Sequence, residues 1–595
     1  GAGHRDPHAG GSLAEVGGGA RVIWRGYRVV ERTCDVLVIG AGMAGLTAAW
    51  AAARAGARVL VACKGFAGAD GVSPFAGGVV LYLLPEDDEE EFLREHEYLN
   101  EGLIHAEVLR RVIRQNASLW QAWGRWGAPL EREMDGSPRR RWLRIGGRSH
   151  VPRLVVDSVE LMRFLRRLAL RSGVRLLEQT CLTGLLKDPA GALAGAVGFR
   201  RQDGELVIVR APAVIVASGG CSWRGAHMGQ HNVMGDGYAM AARFGAELAS
   251  MEFCASYVAT CSLFDSHGQC VLAALGGRFR NRLGENILIR HGLPEPAPTH
   301  QLALAMILEL LEGRGPVRFD LRGISEEERR DWEERFPLVA RGLRRTGRDV
   351  FAEPVPWFPG FTGSIGGSGG IRWQRLGGWT SIPGLFVAGD AAMRTPITGA
   401  GSGITFLNLA WAGVSGLWAG LSAAGWVQGR SAPEPERTDR AIEEGLRETV
   451  EPLERRKGPS PRSVLRQLQQ VVVDPCVSFL RTREGLQAAL SRIREIRREA
   501  EGLQARDWHD LACCHEVRHA ALVAEAMLAS AVVREESRGW HRRLDFPNPG
   551  GPVWEVWTAA RLQGEGADAD FEVWLWPPSS LRAEPPEGAD DLLRG

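Results

Sequence analysis

One segment constrains this chain more than any other: Thr33 to Gly65, TCDVLVIGAGMAGLTAAWAAARAGARVLVACKG. It begins with an apolar run, Val36 to Ile39, of the length of a fully buried parallel strand. GAGMAG follows (Gly40 to Gly45), a match to GxGxxG. Helix formers run from Leu46 to Ala55, Gly56 ends them, and Arg58 to Ala62 reads as a second strand. In a chain with 75 glycines a lone GxGxxG says little, but strand, turn, helix and strand in this order say more. Gly40 allows the tight turn, Gly42 lets a pyrophosphate approach the backbone, and Gly45 lets the helix pack on the strand. The free amides and dipole of the helix start favour phosphate charge. These residues point to a dinucleotide, with FAD and a nicotinamide nucleotide equally open.

At 595 residues the chain is too long for one core and suggests three or four domains. Apolar content of 45% with 24% charge is globular, and a net charge of +1 gives no global attraction to nucleic acid or an anionic membrane. The basic run Arg139 to Arg148 has no aromatic platform beyond Trp142, so no nucleic-acid partner is expected. Ten scattered cysteines without a CxxC pair read as a large, reduced, cytoplasmic enzyme, with no metal or cluster held by this chain. The stretch between Arg394 and Arg430 lacks charge entirely, yet its many glycines, Asn408 and hydroxyl residues read as a buried helix and not a membrane span.

In chain order, residues 1–30 are Gly-rich without periodicity and are expected as a loose arm. The nucleotide-binding unit opens a first segment over 31–253, with helices over 89–126 and 158–172 and strands near 174–177, 195–200, 205–210 and 213–217. Residues 254–355 carry less glycine and more helix, and the glycine-rich style resumes over 356–428. That return suggests an inserted capping domain. A linker leads into a helical region over 440–550, and 551–595 are expected as a tail with a mobile acidic end. The expected class is α/β: a Rossmann-like domain, an inserted α+β cap and a C-terminal helical domain.

Six motifs carry a resemblance: VLVIGAGMAGLTAA, VIVASGG (Val214 to Gly220), GDGYAMAARFGAELASMEF (Gly235 to Phe253), EGRGPV (Glu312 to Val317), IPGLFVAGDAA (Ile382 to Ala392) and EESRGWHRRLDFP (Glu535 to Pro547). The chain resembles the flavoprotein family of fumarate reductase and succinate dehydrogenase catalytic subunits, which also contains L-aspartate oxidase and the adenylylsulfate reductase alpha subunit. The resemblance implies FAD. It places Gly40, Gly42, Met43, Ala44 and Gly45 at the diphosphate, Cys63 and Lys64 at the second strand's end where many folds have an acid, and Ser218, Gly219 and Gly220 toward the adenine. It adds Gly77 and Gly78 of the glycine-rich loop, Asp236, and Gly389 with Asp390 near the ribityl phosphate. Ser402, Gly403 and Ile404 bring amides to the flavin ring. Members with covalent flavin use a His shortly after the second strand; Phe66 to Tyr82 contains none, so the FAD is expected to be non-covalent.

The substrate residues depart from the family. Its His after the MEF-like motif falls at Tyr257, its proton-donating Arg at Thr299 beside His300, and its later His at Ile365; the substrate Arg is missing from GAGSGITFLN. Two carboxylates cannot be clamped without such partners. Fumarate or succinate chemistry is therefore disfavoured; an activity like that of adenylylsulfate reductase or aspartate oxidase is a rival, though the substrate residues particular to either are not evident. His267 is the substitute acid–base candidate, and Arg372 and Arg394 are candidate anion partners. His509, His515 and His519 read as helix-surface residues. The expected function is an FAD-dependent oxidoreductase passing electrons between a small substrate and a redox partner, with any iron–sulfur cluster on a separate electron-transfer subunit. The alternative is an electron-transfer or structural flavoprotein subunit without its own turnover.

Overall fold

The strands Val36–Ile39, Val59–Ala62 and Ala213–Val216 are buried along their whole length. Runs of β-branched residues with no polar face are stable where a sheet is covered on both sides. They pair in parallel within a five-stranded sheet of order Leu385–Val387, Ala213–Val216, Val36–Ile39, Val59–Ala62, Arg175–Leu177. The computed structural model describes residues 21–144, 150–225, 230–264, 278–295, 297–335, 337–402, 406–430, 439–564 and 566–594.

The helix Met43–Arg54 leaves the first strand and packs against Leu407–Val427, the helix formed by the charge-free stretch. A Cβ on Gly416 would stand 2.5 Å from the Ala44 carbonyl oxygen, and one on Gly420 2.3 Å from that of Ala48. Glycine is what lets these two backbones meet. Among the described residues no helix is long and apolar enough to cross a membrane.

A second five-stranded sheet corrects the last third of the expected loose arm, while residues 1–20 of it lie outside the described residues. Arg21–Trp24 and Tyr27–Thr33 form a hairpin, and the latter pairs in parallel with Leu206–Arg210. Val29 and Val30 are buried there. Leu193–Arg200 and Thr180–Lys187, a strand not anticipated, complete the layer. Between residues 257 and 361 an antiparallel sheet joins Tyr257–Cys261, Val355–Phe361, Val317–Phe319 and Phe279–Arg280. The helix Thr299–Leu311 lies against it.

The C-terminal part is built on Asp439–Glu454, Pro461–Val472, Arg483–Glu501 and the long buried helix Trp508–Val533. The end of the chain corrects a second expectation. Trp557–Gln563 and Asp570–Trp576 form a hairpin that pairs with Leu248–Ala249, and Ala589–Arg594 is helical with Ala589 and Leu593 buried. Arg125 Nη2 donates to the Leu593 carbonyl at 3.0 Å. The acidic end is docked, because two apolar residues on one face of its short helix find a partner helix far away in sequence.

Candidate functional site

The glycines of the turn separate into two roles. Gly40 sits at φ +107°, and its Cβ would fall 2.3 Å from the Ala217 carbonyl oxygen; a Cβ on Gly45 would fall 2.0 Å from that of Gly40. Both are demanded by packing of the protein on itself. Gly42 instead faces a cavity of about 290 Å³, with Ser73 Oγ the nearest atom to its Cβ position at 3.0 Å. Ser73 Oγ accepts from the Met43 amide at 3.1 Å, while the next amides of the first turn have no partner within the helix. This is a seat for an anionic group.

From that seat the cavity extends to the ends of the neighbouring strands. Gly40, Gly42, Met43, Ala44, Cys63, Lys64, Gly77, Ser218, Gly219, Asp236, Gly389, Asp390 and Ser402 all line it. Gly45, Gly78 and Gly220 stand behind the wall: a Cβ on Gly78 would meet the Val156 carbonyl oxygen at 2.0 Å, and one on Gly220 the Ser364 Oγ at 1.9 Å. Gly403 and Ile404 lie outside the described residues. Ser218 Oγ and Ser402 Oγ are buried without a partner among the described residues. A glycine cradle beside a helix start, with such hydroxyls around it, fits a bound dinucleotide.

At the strand end Cys63 replaces an acid, and burial pushes its thiol up to about 12. Its neighbour Lys64 is central to a network the sequence did not reveal. Lys64 Nζ lies 2.7 Å from both Asp236 Oδ2 and Glu516 Oε1. Asp236 Oδ1 is 2.9 Å from His519 Nδ1, and Glu516 Oε2 is 2.5 Å from Arg224 Nη2. Burial opposes the charge on Lys64, but the two carboxylates outweigh it and hold the ammonium well above the ordinary lysine value. Burial also opposes the charge on Asp236, and Lys64 and His519 pull its carboxyl well below the usual range. His515 and His519 are therefore buried and not on the helix surface, as only His509 is. Their four-residue spacing turns both into the protein.

The catalytic candidates are not gathered here. Arg394 is 1% exposed and does not line the cavity. Its guanidinium donates to Asn408 Oδ1, to the carbonyls of Ser364, Ile365 and Gly367, and pairs with Asp390 at 3.0 Å. It holds the loop behind Asp390 together. Arg372 lies at the C-terminal sheet, paired with Glu247 and stacked 4.0 Å from the Trp576 ring centroid. Neither lines the cavity. His267 lies outside the described residues.

The far end of the cavity is formed by Val258, Thr299, Thr362, Ile365, Gly366 and Trp540. Two positions aligned above with family substrate residues, Thr299 and Ile365, do reach it; the third, Tyr257, instead donates its hydroxyl to the Val473 carbonyl at 2.9 Å. Behind Thr299, His300 is fully buried, with Nε2 at 2.7 Å from Glu101 Oε1 and its ring edge against Gly401. Trp540 belongs to a motif already singled out; Glu101 carried no signal, since its role depends on contacts far along the chain. Among the described residues no group of three or more His, Cys, Asp or Glu is placed to hold a metal.

A buried parallel sheet with a glycine turn, a helix start and a long cleft across the strand ends defines a dinucleotide-binding oxidoreductase. Comparison with known families makes this specific. Residues 35–405 match the family model "FAD binding domain", and residues 465–582 match "Fumarate reductase flavoprotein C-term". The chain belongs to this FAD-binding family, among the fumarate reductase and succinate dehydrogenase flavoproteins, and it is an FAD-dependent oxidoreductase. It is 28% identical to an L-aspartate oxidase of Streptomyces coelicolor, covering 93% of this chain and 96% of the relative. It is 27% identical to a subunit of the CoM/CoB fumarate reductase of Methanothermobacter marburgensis, covering 88% and 96%. An E. coli quinol fumarate reductase superposes with a TM-score of 0.80 at 22% identity, covering 94% of this chain and 99% of that one. At that identity the likeness is one of fold.

Proposed function

We propose that this chain binds FAD non-covalently along the cavity and passes electrons between a small substrate at the Thr299–Trp540 end and a redox partner. Bound FAD supplies the two-electron chemistry. The residues proposed to hold it are the turn from Gly40 to Ala44 at the diphosphate, Lys64, Ser218, Gly219 and Asp236 toward the nucleoside, and Asp390 with Ser402 toward the ring. The observation that carries this reading is continuity: one cavity joins the anion seat at Gly42 to Asp390, Ser402 and Trp540. Arg394 fixes the Asp390 loop, and Phe406, Leu409 and Ala412 close the wall with apolar surface that excludes water.

The Methanothermobacter relative is, by its name, one subunit of a larger reductase. That supports a separate electron-transfer subunit, an iron–sulfur protein in the simplest case, as the partner here. The nine cysteines among the described residues are all free, in keeping with a reduced compartment, and cytoplasm is the proposed location. Purified protein should be yellow, release all its flavin on acid precipitation, and co-purify with its electron partner. A colourless protein that takes up no FAD sinks the proposal. Flavin that binds but is reduced by no substrate, only by the partner, would support the second reading, an electron-transfer subunit without its own turnover.

A further inference from the structure

The four charged residues lining the cavity are Lys64, Asp70, Asp236 and Asp390, and each has a hydrogen-bond or ion-pair partner inside the protein. Lys64 faces Asp236 and Glu516, Asp70 accepts from the Gly71 amide and Asn232 Nδ2, and Asp390 pairs with Arg394. None of them belongs to the cluster of Val258, Thr299, Ile365, Gly366 and Trp540. Behind that end, Glu101 holds Arg542 and His300 Nε2, Glu536 holds Arg538 and Arg534, and Glu252 also holds Arg534. Arg481 donates to the carbonyls of Glu252 and Val477, contacts His541 and keeps its Nη2 buried without a partner among the described residues, but it does not line the cavity. Among the described residues, no cation lines that end of the cavity.

The same end does carry hydrogen-bonding groups without partners. Trp540 is 1% exposed and Thr299 5%, and Trp540 Nε1 and Thr299 Oγ1 are both buried and unpartnered among the described residues. An indole N–H can only donate, while a hydroxyl can donate or accept. A buried carboxylate there would lack a counter-charge, whereas a carbonyl or carboxamide would satisfy the indole without one.

We infer that the Thr299–Trp540 end of the cavity takes an uncharged, acceptor-bearing substrate group, a carbonyl or carboxamide, and rejects carboxylates. The inference rests on the proposed FAD reading, and it deepens it by giving the substrate's charge class. The test is a titration of the purified holoprotein with matched pairs, succinate against succinamide and fumarate against fumaramide, followed by the difference spectrum of the bound flavin. The diamides should perturb the flavin with saturation, and the diacids should not at equal concentrations. Trp540→Phe keeps the ring and removes the donor, and should weaken the diamides by about threefold to tenfold with flavin content unchanged. Thr299→Arg adds an unmatched cation and should bring succinate binding at least about tenfold above that of the parent protein. Diacids that bind the parent protein as tightly as the diamides overturn the inference. Silence from both pairs with flavin in place overturns it too, leaving the cofactor reading standing. A protein without flavin overturns that reading and the inference together.

Discussion

Glu101 Oε1 stands 2.7 Å from His300 Nε2, tying the loop after the helix Glu89–Leu99 to the first turn of Thr299–Leu311. Arg542 Nη2 reaches the same oxygen at 2.5 Å, and the Gly539 amide donates to the other at 2.8 Å. Burial alone would favour the neutral acid, but His300, Arg542 and that amide hold the carboxyl well below the usual range. Glu101 itself sits at φ +55°, a left-handed conformation that costs a residue with a side chain about 1–3 kcal/mol. The clamp keeps it there.

Glu101→Gln keeps the shape and removes the charge. Urea unfolding at pH 7 should show a loss of roughly 2–3 kcal/mol. Because the folded carboxyl titrates below its unfolded value, the parent's advantage is complete above that unfolded value. It is lost as the pH falls through the acid range toward the folded one. The gap between the two proteins should therefore narrow from pH 6 to pH 3. A gap that does not change with pH would show that the charge contributes nothing.

Lys64→Met leaves Asp236 and Glu516 facing each other across a site with no cation between them. Removing one partner of a buried ionic network costs about 3–5 kcal/mol. The deficit should be largest near neutrality and shrink as the pH falls through the acid range in which Asp236 takes up its proton. Bound flavin should weaken in parallel, read as flavin absorbance per protein after gel filtration. Unchanged stability and flavin content would remove Lys64 from the site.

Two buried histidines should make the fold acid-sensitive. Burial, opposed by the Ile397 carbonyl, lowers His96 to about 4. Burial and then Arg518 lower His515 to about 3. Unfolding lets each take a proton below its unfolded value of about 6.5, so stability falls as pH drops from there through the folded values. Between pH 6.5 and 4 each should cost about 3 kcal/mol. His96→Gln and His515→Gln should each flatten that slope by about one proton in pH-dependent urea unfolding; a slope unchanged in both variants refutes the assignment.

The two kinds of glycine in the turn should separate experimentally. Gly45→Ala drives a methyl to 2.0 Å from the Gly40 carbonyl oxygen, so soluble folded protein should be lost. Gly42→Val adds its bulk to the cavity, and the fold should persist while FAD affinity falls by about a hundredfold, ~3 kcal/mol. Circular dichroism and flavin absorbance report the two outcomes separately. A Gly42→Val protein with full flavin would place the diphosphate elsewhere.

What the sequence by itself determined was local and periodic. The strand, glycine turn and helix at residues 36–54, the helices at 89–125 and 158–171, and the charge-free buried helix follow from patterns within one turn or one pleat. The dinucleotide seat was legible for the same reason, since it is made by consecutive backbone amides, whereas the choice of FAD came from the resemblance carried by separated motifs. Tertiary structure alone decided the rest. Tyr27–Thr33 and Trp557–Gln563 become strands because their partners, Leu206–Arg210 and Leu248–Ala249, complete their ladders from far along the chain. Arg372, Arg394, His515 and His519 carry the residue types of a reactive site, yet each is committed inward to partners no spacing rule names. A turn of backbone can be read from six residues. Whether a charge is free to meet a substrate depends on which distant group already holds it, and in this protein Glu101, Asp236, Glu247 and Asp390 do.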